Sequence, residues 1–440
     1  MQHSHPILTT APAILAILLT GLSATALAAP TFTPIGDLPG GGFYSQLHAV
    51  SANGARAAGD SIVGGSGFSQ ITAPCVYDSN GLVALGYLGT SSARAVNADG
   101  TAITGVCDFG SFDPRGTQAF LWTPSTGILL LGDLDGGVSI VPRSVGRAIS
   151  ANGLVIAGIG ESASGNEAFR FDVTTETFQP LGSLAASPFG SWAYGMSADG
   201  EVVVGISYNA QGQQTPFRWT AAVGMQSLGF LPGATGITPA GTAYAASADG
   251  SVIVGQSRSI ASGQGGEAFR WTASGGMQPL GDLPGGAFQS WAYACSADGS
   301  VIVGRGSAPG NCGPFGCGSV GRAFIWDAQN GMRDLADLLV AGGVNLTGWR
   351  LEEARGISAN GRVIVGVGIN PQGLTEGWIA NLGAPACSAD FNADTVVDFF
   401  DYLDFVAIFA AGGPSADFNG DAVVDLFDYL DFVAAFAEGC

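Results

Sequence analysis

The chain has 440 residues, 47% hydrophobic and only 11% charged, with 70 glycines; it is long enough for a large core, and its composition favours strands and turns over helices. All 15 basic residues are Arg, against 35 acids, and the net charge of −20 excludes a nucleic-acid partner, which needs a basic face from which counterions are released. It suits a secreted protein or one that gathers cations.

Ile14 to Leu22 is an apolar run too short to span a bilayer, and Ala26-Leu27-Ala28 is a small-x-small cleavage pattern, so residues 1–28 read as a secretory signal peptide, although the n-region carries no Arg or Lys. No later stretch is long and apolar enough for a spanning helix, and the expected location is extracellular or at the cell surface. Export permits disulfides among the seven Cys, an odd number. Cys312 and Cys317 are expected partners across a short loop, Cys387 and Cys440 bracket the tail, Cys75 and Cys107 are a further candidate pair, and Cys295 reads as a packing residue.

A four-residue unit recurs seven times: Ser51-Ala52-Asn53-Gly54, Asn97 to Gly100, Ser150 to Gly153, Ser197 to Gly200, Ser247 to Gly250, Ser296 to Gly299 and Ser358 to Gly361. The closing glycines are 46, 53, 47, 50, 49 and 62 residues apart, a spacing that belongs to repeat architectures. Each Asp-Gly or Asn-Gly supplies the positive φ of a tight hairpin. An alternating run precedes the unit and an apolar run follows it. Then comes a segment such as Ala119-Phe120-Leu121-Trp122, Ala268-Phe269-Arg270-Trp271 or Ala323-Phe324-Ile325-Trp326, and in the sixth copy a fourth strand is expected over Met332 to Leu338. Four strands per repeat predict an all-β, seven-bladed β-propeller over residues 29–384. The seventh repeat lacks its fourth strand after Gly377-Trp378-Ile379-Ala380, and the missing copy, Thr33 to Gly41, stands at the start, matching Gln278 to Gly286. The N-terminal strand is therefore expected to close the last blade; an open β-solenoid would not need this permutation.

These repeats resemble the bacterial extracellular HAF-repeat family, on the strength of Ala292 to Gly304, Ala323 to Trp326 and their counterparts. The resemblance implies an exported repeat protein and transfers no catalytic residue.

From Cys387 onward there are ten Asp, one Glu and no Arg, which marks residues 385–440 as a second module. Two near-copies lie 27 residues apart, beginning at Asp390 and Asp417. Oxygen side chains fall at loop positions 1, 3, 5, 9 and 12, namely Asp390, Asn392, Asp394, Asp398 and Asp401, then Asp417, Asn419, Asp421, Asp425 and Asp428. Val396 and Val423 stand where a backbone carbonyl adds a ligand. A calcium ion takes six to eight such oxygens, so two Ca2+ sites are expected, with folding of the tail coupled to binding. The module resembles a type I dockerin, a pair of calcium loops each followed by a helix and, by that resemblance, a binder of a cohesin-like protein. Thr395 and Ala422 replace the glycine expected at position 6, at a steric cost. Phe399-Phe400 and Leu426-Phe427 occupy the positions that, in dockerins, help choose the partner; their alternative role is packing inside the tail.

Candidate catalytic residues are few. His48, the one histidine after the leader, aligns with Tyr293 on a first strand and is assigned to packing. Asp37, Asp133, Asp282 and Asp337 share a fourth-strand position; facing a channel they would bind a cation or sugar hydroxyls, whereas on the outer edge, where fourth strands lie, they are solvated. Arg170, Arg218 and Arg270 are expected to pair with acids such as Glu167 or Glu267. The reading these features favour is a secreted, non-enzymatic binding or scaffold protein, with a glycan or protein ligand on the propeller and a calcium-dependent tail. The alternative is a propeller enzyme or lectin acting on extracellular polysaccharide.

Overall fold

The computed structural model describes residues 29–65, 70–86, 88–110, 113–137, 139–185, 190–232, 238–313, 316–383, 389–392, 397–418 and 423–438, with only the backbone of 310–313 and 316–318. The chain divides into two compact units, one spanning Ala29–Gly383 and one holding the tail from Ala384.

The first unit is a seven-bladed propeller of four-stranded antiparallel sheets. In six blades the strand order follows the chain; in the seventh, the N-terminal strand Thr31–Pro34 pairs with Thr375–Asn381 and takes the outer place. The core lies between blades. Ala58 and Val76 of blade 1 pack against Ile103 and Phe120 of blade 2, and Leu47 and Ala57 of blade 1 meet Val365 of blade 7 and Ile35, which follows the closing strand. Phe120, Phe169, Phe217, Phe269, Phe324 and Trp378, all on third strands, are among the largest fully buried side chains, which is why that segment is aromatic in copy after copy.

The recurrent turn does more than reverse the chain. In blade 6, Ser296 Oγ donates to Asp298 Oδ1 at 2.5 Å and accepts from the Val301 N–H at 3.0 Å. The alanine beside each such Ser or Asn then donates its N–H to the matching alanine carbonyl of the next blade. The links run Ala52 to Ala98, Ala151, Ala198, Ala248, Ala297, Ala359 and back to Ala52, at 2.7 to 3.1 Å, a closed ring of backbone hydrogen bonds. The following glycine is held at positive φ and lies so close to the preceding blade that a Cβ on Gly299 would fall 2.6 Å from Val252, so both conformation and space require glycine.

Two expectations are corrected. The fourth strand of blade 6 covers only Gly331–Asp334 and gives way to helix α1, Leu335–Ala341. Asp334 caps it by accepting the Ala336 N–H at 2.8 Å, and Leu335 and Leu339, four apart, bury one face. Cys75 and Cys107 are buried free thiols, not a disulfide, because they stand in different clusters, against Leu38 and against Phe120 respectively. Cys295 is also free. The backbone pairs Cys312 with Cys317 across a hairpin; their side chains, together with Cys387, Cys440 and the leader 1–28, lie outside the described residues.

In the tail, helix α2 (Phe399–Ala410) and helix α3 (Leu426–Glu438) pack through Phe405 and Phe432, stacked at 3.9 Å, with Tyr402 and Tyr429 hydroxyls 3.0 Å apart. Among the described residues no helix is long and apolar enough to cross a membrane.

Candidate functional site at the channel mouth

Each blade's first strand contains a bulge. The register slips between Leu47 and Ala49, Ala93 and Ala95, Gly146 and Ala148, Ala193 and Gly195, Ala243 and Ala245, Ala292 and Ala294, and Ala354 and Gly356. A bulge leaves one residue unpaired and re-aims its side chain. The residues so released are His48, Arg94, Arg147, Tyr194, Tyr244, Tyr293 and Arg355, and all seven line one cavity of about 340 Å3, together with Gln46 and Glu353. One side chain from every blade converges there, which places the first strands at the ring centre. Glycine makes room beneath: a Cβ on Gly304 would lie 1.9 Å from the Trp291 carbonyl oxygen.

The ring has a cationic arc and a phenolic arc. His48 Nε2 lies 2.9 Å from Asp60 Oδ1 and its Nδ1 lies 3.2 Å from Arg355 Nη1. Arg94 Nη1 also lies 3.4 Å from Nε2, but the carboxylate at 2.9 Å needs a donor there; a guanidinium only donates, so Nδ1, facing Arg355 alone, carries the lone pair and Nε2–H donates to Asp60. Burial, reinforced by the charges of Arg94 and Arg355, pushes His48 down to about 4 from 6.5 against the pull of Asp60. Burial opposes ionisation of Asp60 as well, but hydrogen bonds from His48, Ser92 (2.5 Å) and Gln46 (3.0 Å) hold its carboxyl below the usual range.

Arg355 and Arg305 share Glu353, at 2.8 and 3.1 Å. Arg94 and Arg147 lack such a partner. The Nε of each is buried and unbonded among the described residues, and burial, with Arg147 repelling Arg94, lowers the affinity of both for their protons. Tyr194, Tyr244 and Tyr293 follow one another at centroid distances of 5.8 and 5.4 Å. Burial raises all three, Tyr244 to about 12, so they remain hydrogen-bond donors. A chain of strongly negative net charge thus presents a partly buried positive pocket, with unsatisfied N–H groups and a wall of phenols. This is the chemistry of a site for an anion.

His48, assigned to packing from the sequence, is a member of this ring. Asp37, Asp133 and Asp282 are not: they latch connections to the next blade, Asp37 from the Ser61 hydroxyl, Asp133 from the Glu161 N–H at 2.9 Å and Asp282 from the Ser307 N–H at 2.9 Å. Asp337 lies on α1. Arg170 pairs with an acid as expected, Glu201 of the next blade at 3.2 Å and not Glu167, and also reaches Gly200 O at 3.2 Å; Arg270 donates to Gly299 O at 3.4 Å, so both arginines grip the next blade's turn.

Of the expected calcium ligands, Asp394, Val396, Asn419 and Asp421 lie outside the described residues, and among the described residues no metal-binding cluster of three or more His, Cys, Asp or Glu assembles. Asp390, Asn392, Asp398 and Asp401 precede or open α2, and Asp417, Val423, Asp425 and Asp428 precede or open α3. Asp401 and Asp428 are fully buried. Asp401 accepts the N–H groups of Asn392 and Asp398 at 3.1 and 2.9 Å, and Asp428 those of Phe418 and Asp425 at 2.7 and 2.8 Å. The tail holds no Arg or Lys to offset two buried carboxylates, and oxygen donors of this kind suit a hard cation. Phe399, Phe400, Leu426 and Phe427 are 57 to 65% exposed and do not pack inside the tail.

No family model and no curated protein sequence matches the chain, for the HAF-repeat and dockerin resemblances as for any other. Among solved structures, an oligogalacturonate lyase from Vibrio parahaemolyticus is similar at 9% identity and a TM-score of 0.51, over 81% of this chain and 97% of that one. TolB from Acinetobacter baumannii is similar at 13% identity and a TM-score of 0.41, over 76% and 82%. A puromycin hydrolase is similar at 14% identity and 0.49, over 77% of this chain and 53% of its own. The Vibrio likeness shows the propeller fold. The expectation of a non-enzymatic scaffold is corrected on this chain's own geometry: the bulge ring gives it a polar, partly buried pocket that a purely structural repeat does not require.

Proposed function

We propose that the chain is an extracellular enzyme of uronate-bearing polysaccharide, with the sugar carboxylate seated at the channel mouth and the tail serving as a calcium-loaded, dockerin-like tether. The observation that carries the reading is the pair of partly buried guanidiniums without a carboxylate partner, Arg94 and Arg147, each with an unbonded Nε, lining a cavity to which every blade contributes. A carboxylate there gains charge-assisted hydrogen bonds and neutralises two like charges.

The chemistry the ring supports is β-elimination. Neutralising the carboxylate acidifies the proton on the carbon beside it. The Nδ1 lone pair of His48 takes that proton once the carboxylate draws Arg355 away from it, and Asp60 holds the ring in the required tautomer. The electron pair left on carbon forms the new double bond as the neighbouring C–O bond breaks, and a channel phenol protonates the departing oxygen. The Vibrio neighbour, an oligogalacturonate lyase, agrees with this class of reaction. The exposed Phe399-Phe400 and Leu426-Phe427 pairs suit a cohesin-like partner.

The test is turnover of a panel of uronate polysaccharides by the full chain, read by ultraviolet absorbance of the unsaturated product. Arg147→Gln is expected to lower kcat/KM by at least about tenfold, the loss of one charged hydrogen bond, with unchanged near-ultraviolet circular dichroism. Absence of both product and uronate binding in the native protein, or native kinetics in the variant, overturns the proposal.

A further inference from the structure

A second cavity, of about 450 Å3, lies between blades 1 and 2 and shares Gln46 and Arg94 with the channel cavity. The two adjoin at these residues, and each has the size of a small-ligand site, ~300–1,000 Å3. Their chemistry differs. The channel carries three arginines, whereas the cleft has only Arg94, at its inner end, and holds two carboxylates, Asp60 and Asp108. The rest of its wall combines hydroxyls, among them Tyr44 and Thr90, with the apolar side chains of Ile62 and Val106.

We infer that this cleft is a subsite for an uncharged sugar linked to the uronate in the channel, so that the ligand is a mixed polysaccharide and not a polyuronate. The inference rests on the channel reading. Asp60 is 2% exposed and fully engaged by His48, Ser92 and Gln46. Asp108, at the open end, accepts the Gly110 N–H at 2.9 Å and the Thr117 hydroxyl at 3.2 Å. Asp108 is therefore the acceptor suited to sugar hydroxyls, while Asp60 adds negative charge to the wall. A second uronate would set its carboxylate against Asp108 and Asp60 with no guanidinium beyond the one already turned to the channel, and like charges in a partly desolvated cleft repel strongly. An uncharged pyranose meets no such opposition: its hydroxyls face Thr90, Tyr44 and Asp108, and its C–H face lies on Ile62 and Val106.

Calorimetry on the full chain with three probes tests this: glucuronate, a xylo-oligosaccharide bearing one glucuronate, and trigalacturonate. The mixed oligosaccharide is expected to bind at least about tenfold more tightly than glucuronate, and trigalacturonate no more tightly than glucuronate. Thr90→Trp, which fills the cleft, should abolish the advantage of the mixed oligosaccharide and leave glucuronate binding unchanged. Asp108→Arg should give trigalacturonate about a tenfold gain. Tighter native binding of trigalacturonate than of the mixed oligosaccharide, or an advantage that survives Thr90→Trp, overturns the inference while leaving the channel reading intact. Failure of all three probes to bind removes both.

Discussion

His48 is a buried imidazole kept neutral between a carboxylate and guanidiniums, and that has a measurable cost. In the unfolded chain it takes up a proton as pH falls through 6.5, but in the folded protein only near 4. Between those values the unfolded state binds the extra proton, so stability rises with pH across this window and falls as pH drops through it. The shift corresponds to a contribution on the order of 3 kcal/mol. Urea unfolding from pH 4 to 6.5 should show a shallower pH dependence in His48→Gln than in the native protein; equal slopes would mean that His48 is not held neutral. The same residue shows how much of the site was legible. Each channel residue lies three positions ahead of the turn Ser or Asn, in six of the seven blades directly between Ala or Gly neighbours, as in Ala93-Arg94-Ala95 and Ala292-Tyr293-Ala294. Strict strand alternation cannot say where such a side chain points, because the bulge breaks the period of two at that residue. Read singly, His48 is a polar residue beside the buried Leu47; the seven aligned positions read together form the ring.

At the scale of elements, turns were the most legible and helix boundaries the least. Asp-Gly and Asn-Gly pairs fix the hairpins by local backbone chemistry, whereas the switch from strand to α1 depends on Asp334 finding the Ala336 N–H and on Leu335 and Leu339 finding blade 7, contacts distant in sequence. The tail helices hold the more informative case. Asp398 and Asp425, at position 9 of each loop, accept the N–H groups of Phe400 and Phe427 at 2.8 Å, so the residues proposed as ligands also start the helices. Calcium binding and helix formation should therefore titrate together. Calcium added to the chelator-treated full chain is expected to increase helical circular dichroism and protect the tail from proteolysis, and Asp401→Asn should weaken the first site by about tenfold or more. No heat of binding up to millimolar calcium would reject the coupling.

For the whole molecule, closure is the property on which the channel depends, since seven bulges converge only if the ring is complete. The closing strand contributes four register pairs, Thr31 with Asn381 through Pro34 with Trp378. Phe32 packs edge-on to Trp349 at 5.0 Å and near Trp378 at 6.3 Å. Beyond the strand, Ile35 N–H meets Gly377 O at 3.2 Å and Gly36 N–H meets Glu376 at 2.8 Å. Phe32 is partly buried, so Phe32→Ala, which removes its aromatic contacts, should cost about 1–2 kcal/mol and lower the melting temperature without altering the Arg94 and Arg147 environment directly. Deleting residues 29–36 goes further, because it exposes the edge of Thr375–Asn381, and an unpaired edge recruits another chain. Light scattering should then show dimers or larger species, and a synthetic peptide of residues 29–38 added in trans should restore the native mass and melting temperature. A deletion variant that stays monomeric and melts like the native protein would show that the turn-to-turn hydrogen bonds, running from Ala52 round to Ala359, suffice to hold the ring shut without the strand.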